Sequence, residues 1–247
     1  MSRLLETVRP IARSYFDGRA SPAHDWQHVR RVETNGRRLL SARAEVGDDA
    51  DALVLGLATL LHDIGRPGED AGEIDDHAEW GAMEARSVLE SVHDDDEKNG
   101  TRATLSDATI DEIAHCIRAH RYSTEVEPRT LEAKLLSDAD NLDALGAIGL
   151  SRVFSYGGER GTPLYDPDVP PAADDSTAGR SSVNHIAKKI LDLPNRMYTD
   201  AGYREALERR ATIEAFLDSL AQELECQELA RLVADSPQPD DETREDR

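Results

Sequence analysis

The sequence predicts an all-α protein, on three observations. Apolar residues recur at helical spacing almost from end to end, period-two runs rich in Val, Ile, Tyr and Phe are missing, and two segments are apolar all round, as buried helices are. Helices are expected at about Ser2 to Phe16, Asp25 to Glu45, Asp49 to Leu61, His77 to Val92, Asp107 to His120, Thr130 to Ile148, Ser181 to Leu191 and Ala201 to Leu232. The acidic stretch His93 to Ser106 reads as a surface loop, and Asp235 to Arg247 as an acidic disordered tail. Gly157 to Arg180 is too long and too rich in Gly and Pro for an ordinary connection. It reads either as a lid hinged at Gly157, Gly158 and Gly161 or as a plain disordered insertion.

Composition narrows the class. The chain of 247 residues carries 29 Lys and Arg against 50 Asp and Glu, a net charge of −21. Only Lys98, Lys134, Lys188 and Lys189 are lysines. Carboxylate-rich, lysine-poor surfaces suit concentrated salt, so the protein is expected to come from a halophile. No basic stripe favours nucleic acid. No apolar run reaches the ~18 residues of a membrane helix, and MSRLLETVRP is charged where a signal peptide would be apolar, so a cytoplasmic protein without membrane contact is expected. Cys116 and Cys226 have no metal-site spacing and read as core thiols.

Chemistry enters along the helices in order. In SPAHDWQHVRRV, Trp26, Val29 and Val32 form an inward stripe beside His28, and His24 lies four residues before it, on the same face if the helix already runs there. The segment LVLGLATLLHDIGRPGE is apolar all round and ends in His62 and Asp63, where a buried, unpaired carboxylate would cost several kcal/mol. Either the pair binds a cation or it merely caps the helix end. Along IDEIAHCIRAHRYS the apolar face of Ile110, Ile113 and Ile117 continues to His120, while His115 falls off it. The helix TLEAKLLSDADNLDALGAIGL hides Asp138, Asp140 and Asp143 among leucines. Asp140 and Asp143 share a face, whereas Asp138 and Asp140, ~200° apart, cannot reach one ion together.

His28, the dyad His62 and Asp63 within HDIG, and Asp140 within ADNLDAL resemble the ordered signature of the HD-domain metal-dependent phosphohydrolase superfamily. The likeness is greatest to uncharacterised bacterial and archaeal HD hydrolases, with AHRYS, DADNLDALGAIGLSRVF and NHIAKKILDLP as similar stretches, and covers about residues 20 to 225. It implies a helical bundle, a single HD domain over residues 1–234 with a C-terminal helical extension, and one divalent cation (Mn, Co, Ni, Mg or Fe) on His28, His62, Asp63 and Asp140. His77 and His120 resemble the extra histidines of two-metal members and imply a second ion beside them; His77 is otherwise a polar first-turn residue. The GYP segment of the cyclic-dinucleotide branch is absent.

The resemblance implies hydrolysis of a phosphoester or phosphoanhydride in a small phosphorylated substrate, a nucleotide in the first place. Two imidazoles and two carboxylates leave coordination positions open for water and a phosphoryl oxygen. Asp63 and Asp140 are the candidates to accept a proton, with Asp138 bracing the helix and Arg66, His120 and Arg121 screening phosphoryl charge. Substrate contacts are expected from His24, Arg121, Arg152, His185 and Lys189, although a run such as His185, Lys188 and Lys189 is also what a solvated helix face looks like. Two other classes stay open, a di-iron HD-type oxygenase and a non-catalytic, metal-containing regulatory or binding module. Oligomeric state is not legible.

Overall fold

The computed structural model describes residues 3–18, 20–44, 50–98, 105–121 and 126–229. Among them the regular structure is helical throughout, as expected: α1 (Arg3–Ser14), α2 (Trp26–Ala44), α3 (Ala52–Leu61), α4 (Arg66–Asp70), α5 (His77–Lys98), α6 (Asp107–Ala119), α7 (Leu131–Asp143), α8 (Gly146–Glu159), α9 (Ser182–His185), a π-helical turn (Ile186–Ile190), a 3-10 turn (Leu193–Arg196) and α10 (Asp200–Glu223). No described helix is long and apolar enough to cross a membrane. The chain divides into two compact units, Met1–Asp140 and Asn141–Arg247.

The first unit is built around α3. Beyond its first turn it is largely covered, α1, α2, α5 and α6 all packing on it, with Leu57, Ala58, Leu60 and Leu61 fully buried. Asp51 fixes its start, accepting from the Leu53 and Val54 amides at 2.7 and 3.2 Å. Its far end therefore delivers His62 and Asp63 into the interior. Three local expectations are corrected here. Helix α2 begins at Trp26 because Asp25 is its cap, accepting from His28 N at 3.0 Å, so His24 lies in the preceding turn rather than on the helix. The short α4, with Pro67 in its first turn, is not among the expected helices. Helix α5 continues to Lys98, taking in His93 to Lys98 of the acidic stretch read as a loop; 99–104 and the tail at 235–247 lie outside the described residues.

In the second unit α10 packs against α8 and the 3-10 turn, burying Ala206, Ile213 and Leu217. The helix expected through Ile148 is interrupted after Asp143: Leu145 is extended (φ −110°, ψ 164°) and Gly146 has φ 69°, which starts α8 as a separate helix. Helix α10 likewise stops at Glu223, where Glu225 at φ 50° and a Cys226 N–H to Ala221 O bond of 2.9 Å close its last turn. Cys226 is consequently half-exposed and not a core thiol, while Cys116 is buried.

The 157–180 stretch is tied down within this unit. Gly157 belongs to α8, and a Cβ there would stand 2.5 Å from Ser182 Oγ, so it serves close approach and not a hinge. The buried Asp174 carboxylate accepts from the Ser176 and Arg180 amides at 2.9 and 2.8 Å and from Asn184 Nδ2 at 2.8 Å, and Lys188 Nζ donates to Ser176 O at 2.6 Å. Those bonds close a loop that has little apolar packing of its own. We expect Asp174→Ala to open 163–180 to limited proteolysis at least about tenfold faster while the helical circular dichroism signal is kept; cleavage at the wild-type rate would show that the network does not hold the loop.

Candidate metal centre

Helix ends of the first unit converge on one buried cluster. His28 comes from the first turn of α2, His62 follows the last residue of α3, Asp63 lies in the next turn, His77 opens α5, His120 follows α6 and Asp140 sits in the last turn of α7. Two of these imidazoles lie at helix C-termini, where the carbonyl ends favour a cation. His28, His62, Asp63, His77 and His120 are buried; the Asp140 side chain is 24% exposed and is the member that solvent reaches.

The six residues fall into two groups of three, and Asp63 of the second also lies against the histidines of the first. One ligand atom from each of His28, His62 and Asp140 lies within 4.8 Å of the others, and the same holds for Asp63, His77 and His120. His28 Nε2 is 3.3 Å from Asp140 Oδ1 and 3.4 Å from Asp63 Oδ2. The other oxygen, Asp63 Oδ1, faces His77 Nε2 at 3.4 Å and His120 Nε2 at 3.7 Å. Asp63 thus turns one oxygen toward each group.

Hydrogen bonds settle which ring nitrogens are bare. His62 Nδ1–H donates to Thr59 O at 2.8 Å, His120 Nδ1–H to Ile117 O at 2.6 Å, and His77 Nδ1–H to Glu69 Oε2 at 2.8 Å. Each acceptor leaves the Nε2 lone pair pointing inward. Burial pushes all three imidazoles below the ordinary histidine range, so they are neutral near pH 7. Burial alone would raise Asp63, but His62, His28 and His77 hold it well below the usual carboxylate range, and Asp140 is lowered against its burial by His28 above all. The result is three Nε2 lone pairs gathered beside two carboxylates, with His62 Nε2 3.4 Å from His28 Nε2. Converging acceptors of that kind fit divalent cations, and the mixed N and O donors make a harder site than thiolate zinc sites offer.

The family comparison agrees with this geometry. The HD domain matches residues 25–145. An HD-superfamily hydrolase of known structure from Bacillus thuringiensis is 31% identical, covers 91% of this chain and 98% of its own, and superposes with a TM-score of 0.65. The chain belongs to the HD superfamily of hydrolases. Among other relatives, the uncharacterised protein YpgQ of Bacillus subtilis is 28% identical over 219 residues, 89% of this chain and 93% of its own. The structure of YpgQ in complex with ADP has a TM-score of 0.62 at 24% identity, covering 89% and 97% of the two chains.

Other sequence-derived candidates have different neighbours in this HD chain. Asp138 is fully buried and lies outside both groups. His24 stands ring to ring with His28 at 6.0 Å, with its Nδ1 4.0 Å from Asp70, and joins neither group. Arg66 reaches Glu69 at 3.0 Å and Asp70 at 3.3 Å, and Arg121 reaches Glu69 at 3.1 Å. In the second unit Arg152 neutralises buried Asp143 at 3.0 Å, His185 Nδ1–H donates to Ala178 O at 2.7 Å, and Lys189 is half-buried on the π-helical turn. Asp143 thus has a guanidinium as its counter-charge. Glu69 was missed by the sequence reading because α4, which carries it, was not expected.

Asp138 and Asp140 can be separated experimentally. We expect Asp140→Asn to weaken cation uptake and Asp138→Asn to leave stoichiometry intact while lowering unfolding stability by about 1–3 kcal/mol, the usual cost of disturbing a buried polar group. Cation titration beside thermal melts reads both; lost uptake in Asp138→Asn would reverse the assignment.

Proposed function

We propose that the chain hydrolyses a phosphoester or phosphoanhydride, a nucleotide in the first place, at a centre of two divalent cations that share Asp63. His28, His62 and Asp140 would hold one cation, and His77 and His120 the other. The observation that carries the reading is the Asp63 carboxylate, one oxygen toward each histidine group, with bare imidazole lone pairs around it. When bound, divalent cations supply Lewis acidity toward water and phosphoryl oxygens. Asp140, the solvent-reached carboxylate, is placed to take a proton from attacking water. Arg121, partly exposed and held to Glu69 through Nη1, supplies a guanidinium fork for phosphate oxygens, while Arg66 is engaged by Glu69 and Asp70, and the surrounding buried helix ends exclude bulk water. That YpgQ has been crystallised with ADP supports nucleotides as the first compounds to try.

The test is a hydrolysis screen of nucleoside mono-, di- and triphosphates and simple phosphate esters with Mn, Co, Ni and Mg, at low and molar salt. Release of phosphate or pyrophosphate that stops on chelation and returns with the cation is expected; no turnover under any cation, with tight nucleotide binding, would favour a binding module. The same series tests the charge argument. With net charge −21, activity and melting temperature should rise toward molar salt, as the Debye length falls from ~30 Å at 0.01 M to ~3 Å at 1 M. A flat melting temperature would leave ordinary acidity.

A further inference from the structure

Glu69 is the point where three donors meet beside the second histidine group. Its Oε2 accepts from His77 Nδ1–H at 2.8 Å and from Arg66 Nη1 at 3.0 Å, and its Oε1 accepts from Arg121 Nη1 at 3.1 Å. Asp70 takes the other edge of Arg66, through Nε at 3.4 Å and Nη2 at 3.3 Å. The two guanidinium groups therefore hold the carboxylate from two sides while its remaining lone pairs meet the imidazole.

What that contact decides is where the single ring proton of His77 resides. Two carboxylates flank this buried imidazole, Glu69 on Nδ1 at 2.8 Å and Asp63 on Nε2 at 3.4 Å. A neutral ring can donate to only one of them. Donation to Glu69 leaves Nε2 bare toward Asp63; donation to Asp63 would put a hydrogen where a cation has to bind. His62 and His120 do not face this choice, because backbone carbonyls accept from their Nδ1–H groups and no side-chain change removes those. His77 alone among the three depends on a side chain for its tautomer.

We infer that Glu69 is a positioning residue that holds His77 in the Nδ1–H tautomer, with Arg66 and Arg121 fixing the Glu69 carboxylate for that task. The inference rests on the two-cation reading for its consequence: without Glu69 the ring proton moves to Nε2, toward Asp63 Oδ1, and the second cation loses a ligand while the group of His28, His62 and Asp140 keeps all of its own.

The test uses the full chain, free of cations and labelled with 15N, and two variants. Long-range 1H–15N imidazole spectra should show His77 protonated on Nδ1 in the wild type and on Nε2 in Glu69→Ala. Calorimetric titration with Mn should show the second binding event weakened roughly 10- to 100-fold in Glu69→Ala, the range for loss of a carboxylate behind a ligating histidine, with the first event unchanged. Glu69→Gln, which keeps an oxygen acceptor in the same place, should restore both readouts. An alanine variant with His77 still protonated on Nδ1 and unaltered Mn affinity overturns the inference, as does a glutamine variant that behaves like alanine. A wild-type chain that takes up a single Mn would end the two-cation reading, and the His77 tautomer in the cation-free chain would still decide the role of Glu69.

Discussion

Asp63→Ala is expected to remove both cations at once and to lower hydrolysis at least about 1,000-fold. The size follows from losing several kcal/mol of charge stabilisation, at 1.36 kcal/mol per tenfold in rate. Asp63 Oδ2 lies 3.4 Å from His28 and Oδ1 lies 3.4 Å from His77, so deletion of this carboxylate takes a donor from each group, whereas any single histidine serves only one. His28→Ala and His77→Ala should each reduce metal content from two ions per chain to one. Because Asp63 lies in a turn and contributes little packing mass, the helical signal should survive in its alanine variant. Metal analysis after gel filtration, beside the rates, separates the possibilities: an Asp63→Ala protein that retains one cation at wild-type affinity would mean that the residue serves one group only.

Much of this centre is legible in the sequence, for a reason that can be located. His62 and Asp63 end a helix with no polar face, and Asp140 sits among leucines, so burial of charge is forced by composition alone. His77 and His120 are paired only through the resemblance to two-metal members, because their meeting depends on α5 and α6 lying side by side, which periodicity does not encode. Glu69 is not legible at all. Its neighbours in RPGED are Pro, Gly and acids, the composition of a surface turn, and only the fold of α4 brings it to His77. Elsewhere the apolar pattern misleads by continuity: leucines and isoleucines run from Leu131 past Ile148, and the left-handed Gly146 that separates α7 from α8 leaves no mark in the periodicity. In the acidic stretch from His93, charge suggested a loop, but helix α5 tolerates it through Lys98.

The glycine of HDIG yields the other large effect. Gly65 has φ −82° and ψ −16°, a conformation open to any residue, so backbone freedom does not explain it. Space does. A Cβ on Gly65 would stand 2.6 Å from His77 O and 3.0 Å from His77 Cα, both backbone atoms at the start of α5, where no rotamer change gives relief. Either α4 or the first turn of α5 must move, and His77 moves with it. We expect Gly65→Ala to cost about 1–3 kcal/mol of stability, as overpacking of a close contact does, and to weaken the second cation more than the first. Gly68→Ala is the control on the same short helix: its Cβ would meet Ile74 Cδ1 and Cγ1 at 3.4 Å, the end of a flexible side chain, and should be nearly silent in both measurements. The comparison is decisive because the two substitutions are chemically identical and three residues apart. Equal melting temperatures and equal second-cation affinities in the two variants would remove the close approach of Gly65 to His77 as the reason for a glycine at that position.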